Sequence, residues 1–196
     1  MTDVTIATHN GNFHADDVFS IAALKNIFPV FNLVRTRDLE VIGKADVVID
    51  VGGIYDPETG RFDHHQRGGA GERENGIPYS SFGLVWKKYG LEICGGNQDV
   101  ANSVDSSLVS TIDAIDCGHA EGVSKGISLS QTISMFNPTW EEESHYDVCF
   151  DEAVAFASRV LTRFIASANG GISAKSIVAK AIEQAEDPRV IVLEQY

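Results

Sequence analysis

Three short apolar runs, each ending in a cluster of aspartate and histidine, constrain this chain more than any other feature. Val4-Thr5-Ile6-Ala7 leads into Thr8-His9-Asn10-Gly11-Asn12-Phe13-His14-Ala15-Asp16-Asp17. Val47-Val48-Ile49 leads into Asp50-Val51-Gly52-Gly53, and the third cluster is Arg61-Phe62-Asp63-His64-His65-Gln66-Arg67-Gly68. Short apolar runs of this kind read as buried strands of a parallel sheet. In open α/β sheets, functional groups collect at the carboxyl ends of such strands. Three ends of this type can converge. Carboxylates and imidazoles brought together out of water repel, or lie unpaired, unless a cation joins them. The pattern therefore predicts a metal centre with more than one ion.

The remaining elements follow from periodicity. Residues 3–8 read as a strand and 15–27 as a helix, with Asp16 and Asp17 in its first turn, where carboxylates suit the helix dipole. A strand at 32–36, a helical turn at 38–43 and a strand at 46–51 come next. Tyr55–Gly60 reads as a turn and Arg61–His64 as a short fourth strand. This alternation predicts an α/β fold with a mainly parallel sheet flanked by helices. The stretch 66–76, with Gly68, Gly69, Gly71 and Gly76, reads as a loop: either a mobile cover for a substrate or a solvated connector. Beyond it the chain turns helical. A helix is expected at 81–89, closed by Gly90. Val100, Val104, Leu108, Ile112 and Ile115 form one apolar stripe, ended by Asp116-Cys117-Gly118. Further helices are expected at 128–137, at 151–168 with a stop at Asn169-Gly170-Gly171, and at 173–185, before a last strand at 190–193. No repeat or linker divides the chain, so one domain over 1–196 is expected, helical in its extension from about 150 onward.

Composition narrows the function. With 196 residues, 43% of them hydrophobic, the chain can fill one domain core. A net charge of −13 argues against a dedicated duplex-DNA binder. It leaves room for a small nucleotide or a short single strand, since two divalent ions would add about four positive charges locally. Arg35, Arg37, Arg61, Arg67 and Arg73 fall in the same third of the chain as the His/Asp clusters. No apolar run approaches the roughly 20 residues that span a bilayer, and the N-terminus has no secretory pattern. Cys94, Cys117 and Cys149 are odd in number and widely spaced, forming neither a zinc pattern nor a disulfide framework. Core thiols in a cytoplasmic protein are expected.

His9, His14, Asp16, Asp50 and His64 offer nitrogen and oxygen donors without thiolates. That set suits Mn²⁺, with Mg²⁺ as the alternative, and disfavours structural zinc. Asp50 is the natural bridging carboxylate for two ions about 3.5–4 Å apart. Phosphoester or phosphoanhydride hydrolysis is the chemistry that most needs such a pair. Asp63 reads as a partner that fixes the tautomer of a neighbouring imidazole. Taken singly, each residue has a plainer role: His9 as a hydrogen-bonded core histidine, Asp16 or Asp17 as a helix-start carboxylate, Asp50 as a cap. Strand-end placement three times over favours the metal.

These residues also carry a resemblance. Asp63-His64-His65, with Asp50 and the N-terminal His…Asp motif, resembles the DHH phosphoesterase superfamily of exonucleases, oligonucleotide and cyclic-dinucleotide hydrolases and pyrophosphatases. Thr8–Asp17 is similar to the THNGxFHxDE signature of the MYG1 family, and Phe62–Gln66 to its FDHHQ signature. Tyr79–Gly90, Asp113–Gly118 and Ser128–Trp140 also resemble MYG1 segments, while Asp17 stands where that family usually has Glu. The resemblance implies a DHH-type domain holding two divalent cations through His9, His14, Asp16, Asp50, His64 and Asp116, with Asp113 a rival for the last place. It implies catalysis by Asp50, His64 and His65, with His65, Arg37 and Arg67 on the substrate phosphate; Arg35-Thr36-Arg37 resembles a family stretch. The implied activity is metal-dependent hydrolysis of phosphodiesters in short single-stranded RNA, 3′→5′, or in small nucleotides. The alternatives are an inorganic pyrophosphatase or signalling-nucleotide hydrolase, and a non-catalytic metal- or nucleotide-binding module. Family members usually continue into a second sheet-containing domain. This chain is expected to stop near its beginning, and the exposed half of such a domain would offer a homodimer surface.

Overall fold

The computed structural model describes residues 4–119, 126–143, 145–187 and 189–193. Five strands, β1 (Val4–Thr8), β2 (Phe31–Arg35), β3 (Val47–Ile49), β4 (Tyr55–Asp56) and β5 (Arg61–Phe62), form one sheet in the order β2-β1-β3-β5-β4. The first four strands in that order run parallel, and β4 is antiparallel to β5. Ile6 is in register with Val47, and Val48 with Arg61. β1, β3 and β5 are thus direct neighbours with their carboxyl ends at one edge. The three His/Asp clusters leave the sheet side by side.

Parallel pairing requires crossovers. Helix α1 (Ala15–Leu24) connects β1 to β2, and α2 (Leu39–Ile42) connects β2 to β3. Every residue of α1 is buried, because α3 (Ser81–Ile93) and α7 (Tyr146–Gln184) pack over it. Phe19 meets Phe82 at 5.4 Å between ring centroids, and Phe13 meets Phe150 edge-on at 5.3 Å. Burying each of these rings contributes about 1.5–3 kcal/mol before entropy is counted. The opposite sheet face has a thin core of Ala7, Ile42, Ala45 and Val48 under α2. Among the described residues no helix is long and apolar enough to cross a membrane.

Several elements differ from expectation for identifiable reasons. Tyr55-Asp56, expected as part of a turn, pairs with β5. Helix α3 does not close at Gly90 but continues to Ile93. The Trp86 indole lies against that glycine, where a Cβ would come within 2.8 Å of Nε1. The apolar stripe is carried by α4 (Gln98–Val104), a π-helical turn (Asp105–Val109) and α5 (Ser110–Asp116). Helix α6 (Leu129–Ser134) starts with a capping box between Ser128 and Gln131. The break expected at Asn169-Gly170-Gly171 does not occur. Neither glycine takes a positive φ, and α7 runs unbroken from Tyr146, earlier than expected, to Gln184. A glycine costs a helix about 1 kcal/mol, and Ile165, Ala168 and Ile172, on either side of the pair, pack against the core. Residues 190–193 are irregular rather than a strand, and Val190, Val192 and Leu193 line a cavity together with Ile177 and Ala181 of α7.

Candidate metal centre

His9 follows β1, and its Nε2 lies 3.2 Å from Asp17 Oδ2 and 3.3 Å from Asp50 Oδ2. His64 follows β5. Its Nε2 lies 3.3 Å from Asp50 Oδ1, 3.2 Å from Asp116 Oδ2 and 3.7 Å from Asp16 Oδ2. Asp50, at the end of β3, therefore faces both imidazoles, one with each oxygen. Among the described residues it is the one non-glycine with positive φ, at 54°. That left-handed conformation is uncommon outside glycine but is tolerated by aspartate and asparagine. Ser81, in the first turn of α3, donates its hydroxyl to Asp50 Oδ1 at 3.0 Å.

The carboxylates outnumber the imidazoles that meet them. Asp16 is fully buried, yet neither of its oxygens has a hydrogen-bond partner, and His64 Nε2 has none despite three carboxylates around it. A buried, unpaired carboxylate costs several kcal/mol unless a cation answers it. Donor atoms of His9, His14 and Asp50 fall within 4.8 Å of one another, as do those of His14, Asp16 and Asp116, and those of Asp50, His64 and His65. These nitrogen and oxygen groups could hold a divalent cation.

Titration behaviour follows the same geometry. Burial opposes charge on His9, but Asp17 and Asp50 outweigh it and raise its pKa to about 10. Burial likewise opposes charge on His64, and Asp116 and Asp50 drive it far above the ordinary 6.5. Asp50 is pushed up by burial and pulled below the carboxylate range by His64 and His9. Burial, then Asp50, Asp116 and Asp17, hold Asp16 well above 3.8. In the metal-free protein, protons supply the positive charge that the carboxylates demand. Loading a cation must release them.

The two adjacent aspartates divide their tasks. Asp17 Oδ1 accepts from the backbone of His14 at 2.9 Å and closes the first turn of α1, with its Oδ2 left beside His9, while both oxygens of Asp16 are free of backbone bonds. Asp113 and Asp116 divide similarly. Asp116 reaches His64, whereas buried Asp113 accepts from Arg73 Nη1 at 2.6 Å, Gly83 N at 3.0 Å and Ser80 Oγ. Asp63 accepts from His65 Nδ1 at 2.7 Å and from Gly53 N at 2.6 Å. The side chain of His65 is 62% exposed. Arg37 bonds Asn10 and brings Nη2 to 3.2 Å from His9 Nδ1, at the rim of the cluster. Arg67 is exposed on the loop after His65. Arg35 is buried beneath the first motif, 4.4 Å over the Phe150 ring, donating to Gly11 O and Asp147. Arg61 bonds backbone carbonyls of Asp46 and Thr59.

Three contributors escaped the sequence reading as site residues. Ser81 bonds Asp50. Cys117, expected as a core thiol, is half-buried with Sγ 3.8 Å from His64 Nδ1. Asn137 clasps Phe13 through both backbone groups, N at 3.0 Å and O at 2.9 Å. The only local signals were a serine pair at a helix start and an asparagine before proline.

The MYG1 exonuclease family model, described as an uncharacterised protein family (UPF0160), matches residues 5–196. The chain belongs to the MYG1 family. It is 35% identical over 206 residues to a MYG1 protein of Caenorhabditis elegans, covering 91% of this chain and 60% of that one. It is 31% identical over 207 residues to a MYG1 protein of Dictyostelium discoideum, covering 93% and 63%, and 31% identical over 214 residues to the MYG1 exonuclease of Homo sapiens, covering 94% and 56%. The chain thus spans about three fifths of the length of these relatives. No solved structure matches it. The MYG1 match takes in every member of the cluster, from His9 to Asp116.

Proposed function

We propose that this MYG1-family chain carries a two-metal phosphoesterase site that removes nucleotides from the 3′ end of short single-stranded RNA. The observation that carries this reading is Asp16, fully buried among Asp50, Asp116 and His64 with neither oxygen hydrogen-bonded. In this reading residues 4–119 and 126–143 form the phosphoesterase domain, with α7 as its helical extension. Asp50 is the shared ligand, His9 and His14 complete one site, and Asp16, His64 and Asp116 complete the other. Mn²⁺ suits this mixed donor set, with Mg²⁺ the alternative. Bound divalent cations would acidify a water molecule and offset charge on the phosphoryl group.

The chain's own groups do the rest. Asp63 fixes the proton of His65 on Nδ1, which leaves the other nitrogen of this largely exposed ring for a phosphate oxygen. Protonated, that nitrogen donates to a phosphate oxygen. Arg37 and Arg67 add positive charge at the rim. Ser81 holds the Asp50 carboxylate in place. The naming of mammalian relatives as exonucleases supports a nucleic-acid substrate, and the net charge of −13 favours a short single strand over a duplex.

The test follows a 5′-labelled single-stranded RNA with Mn²⁺, beside the Asp50→Asn variant. Asparagine tolerates the left-handed backbone at this position, so the variant should fold. The wild type should lose 3′ nucleotides stepwise, and the variant should lose none. Undiminished cleavage by Asp50→Asn defeats the assignment. Pyrophosphate and a dinucleotide run in parallel separate small-phosphate hydrolysis from exonuclease action.

A further inference from the structure

Beside the metal cluster lies a cavity of about 420 Å³, within the range of small-ligand sites. His64 and Cys117 form the side it shares with the cluster, Gly68 and Gly69 line another part, and Glu72 and Tyr79 contribute to the rest. Gly68 and Gly69 have φ of 90° and 69°, and a Cβ on either would meet nothing within 4 Å. Glycine here does not serve close packing; it leaves the wall bare. The loop is also preformed. Arg73 on it bonds Asp105 at 2.7 and 3.0 Å and Asp113 at 2.6 Å, its guanidinium lies 4.4 Å over the Tyr79 ring, and Tyr79 N bonds Gly71 O at 3.1 Å.

Charge decides what such a cavity takes. Arg73, next to Glu72 on the loop, is spent on its two carboxylates. Glu72, exposed and lining the cavity, repels phosphate but accepts hydrogen bonds. We infer that this cavity is a nucleoside subsite in which Glu72 recognises the ribose hydroxyls of the substrate's terminal nucleotide. The phosphate lies over the metal cluster and His65, and the sugar and base enter beside His64. A carboxylate can accept from both the 2′ and 3′ hydroxyls of a ribose; a 2′-deoxyribose supplies only one. Glu72 thereby selects RNA over DNA. The subsite deepens the phosphoesterase reading and rests on it for the orientation of the phosphate.

Calorimetry on the Mn²⁺-loaded protein with adenosine 5′-monophosphate and its 2′-deoxy analogue tests it. A lost hydrogen bond to a charged group is worth about 1.5–3 kcal/mol, so the wild type should favour the ribonucleotide by about tenfold or more. Glu72→Ala should erase that preference, weakening the ribonucleotide more than its deoxy analogue, which loses only the 3′-hydroxyl bond, while leaving Mn²⁺ affinity unchanged. Equal binding of the two nucleotides by the wild type, or an undiminished preference in Glu72→Ala, overturns the subsite. Hydrolysis of bis(4-nitrophenyl) phosphate, which has no ribose, separates the two ideas. Turnover of it that survives Glu72→Ala supports a role confined to the sugar, and turnover lost in that variant overturns that role. A ribose preference without hydrolysis of any phosphodiester keeps the subsite and removes the phosphoesterase.

Discussion

Replacing Asp16 with asparagine should move stability in opposite directions with and without metal. Asp16 and Asp116 have ligand oxygens within 4.8 Å of each other. At an effective dielectric of about 20, two such charges repel by about 3.5 kcal/mol. His64, shared with Asp50 and Asp116, offsets part of this, and proton uptake limits the remainder. The net relief from removing the charge is therefore about 1–3 kcal/mol, comparable to the cost of one unsatisfied buried group. For a chain of this size that corresponds to a rise of roughly 2–10 °C in Tm in a chelator. With Mn²⁺ at about 100 times Kd, the wild type gains about 2.7 kcal/mol. Asp16→Asn, short of a ligand, should gain little. Differential scanning fluorimetry in chelator and in graded Mn²⁺ would show the two melting curves exchanging order. A variant less stable than wild type in chelator, or one with the full Mn²⁺ shift, would refute the view that Asp16 is kept unpaired for a cation.

Ser81→Ala should leave the fold intact but weaken Mn²⁺ binding by about 10–100-fold by calorimetry, as loss of groups that orient ligands typically does; unchanged affinity would dismiss the bond to Asp50 as incidental. Gly83→Ala should destabilise by about 1–3 kcal/mol in urea unfolding, because a Cβ there runs into the Asp113 carboxylate and the Tyr79 ring; an unchanged midpoint would contradict that packing. Burial raises Asp113 to about 6 against the pull of Arg73, Ser80 and Gly83, while the unfolded chain releases that proton near 3.8. Between those values the folded state binds more protons, so Asp113's contribution to stability falls as pH rises. Asp113→Asn should remove that slope from urea midpoints taken across the window, and an unaltered slope would assign it to other groups.

The convergence of β1, β3 and β5 was legible because apolar strands followed by charged clusters leave few other arrangements in a parallel sheet. The Asp16 and Asp17 tasks were half legible, since either carboxylate suits a helix start, both are fully buried, and only the backbone bond that Asp17 takes from His14 separates them. Asp113 and Asp116 are one helical turn apart and locally equivalent. What distinguishes them is Arg73, which arrives from a loop 40 residues away. Ser81 and Cys117 act through contacts 31 and 53 residues distant in sequence, which no local pattern encodes. Gly90 and Gly170-Gly171 misled because glycine stops a helix only where the backbone takes a left-handed turn, and here tertiary packing carries the helices through.

Helix α7 has a hydrodynamic consequence. Its 39 residues extend about 58 Å at 1.5 Å per residue. The core embraces it as far as Ile172, so the following segment to Gln184 projects by about 18 Å. A compact particle of 196 residues has a radius of gyration of about 16 Å. This chain should scatter X-rays and sediment as an asymmetric body, with a radius above that value and a pair-distance distribution tailing toward the helix length. Its rotational diffusion should be anisotropic, with amide vectors along α7 relaxing differently from those in the sheet.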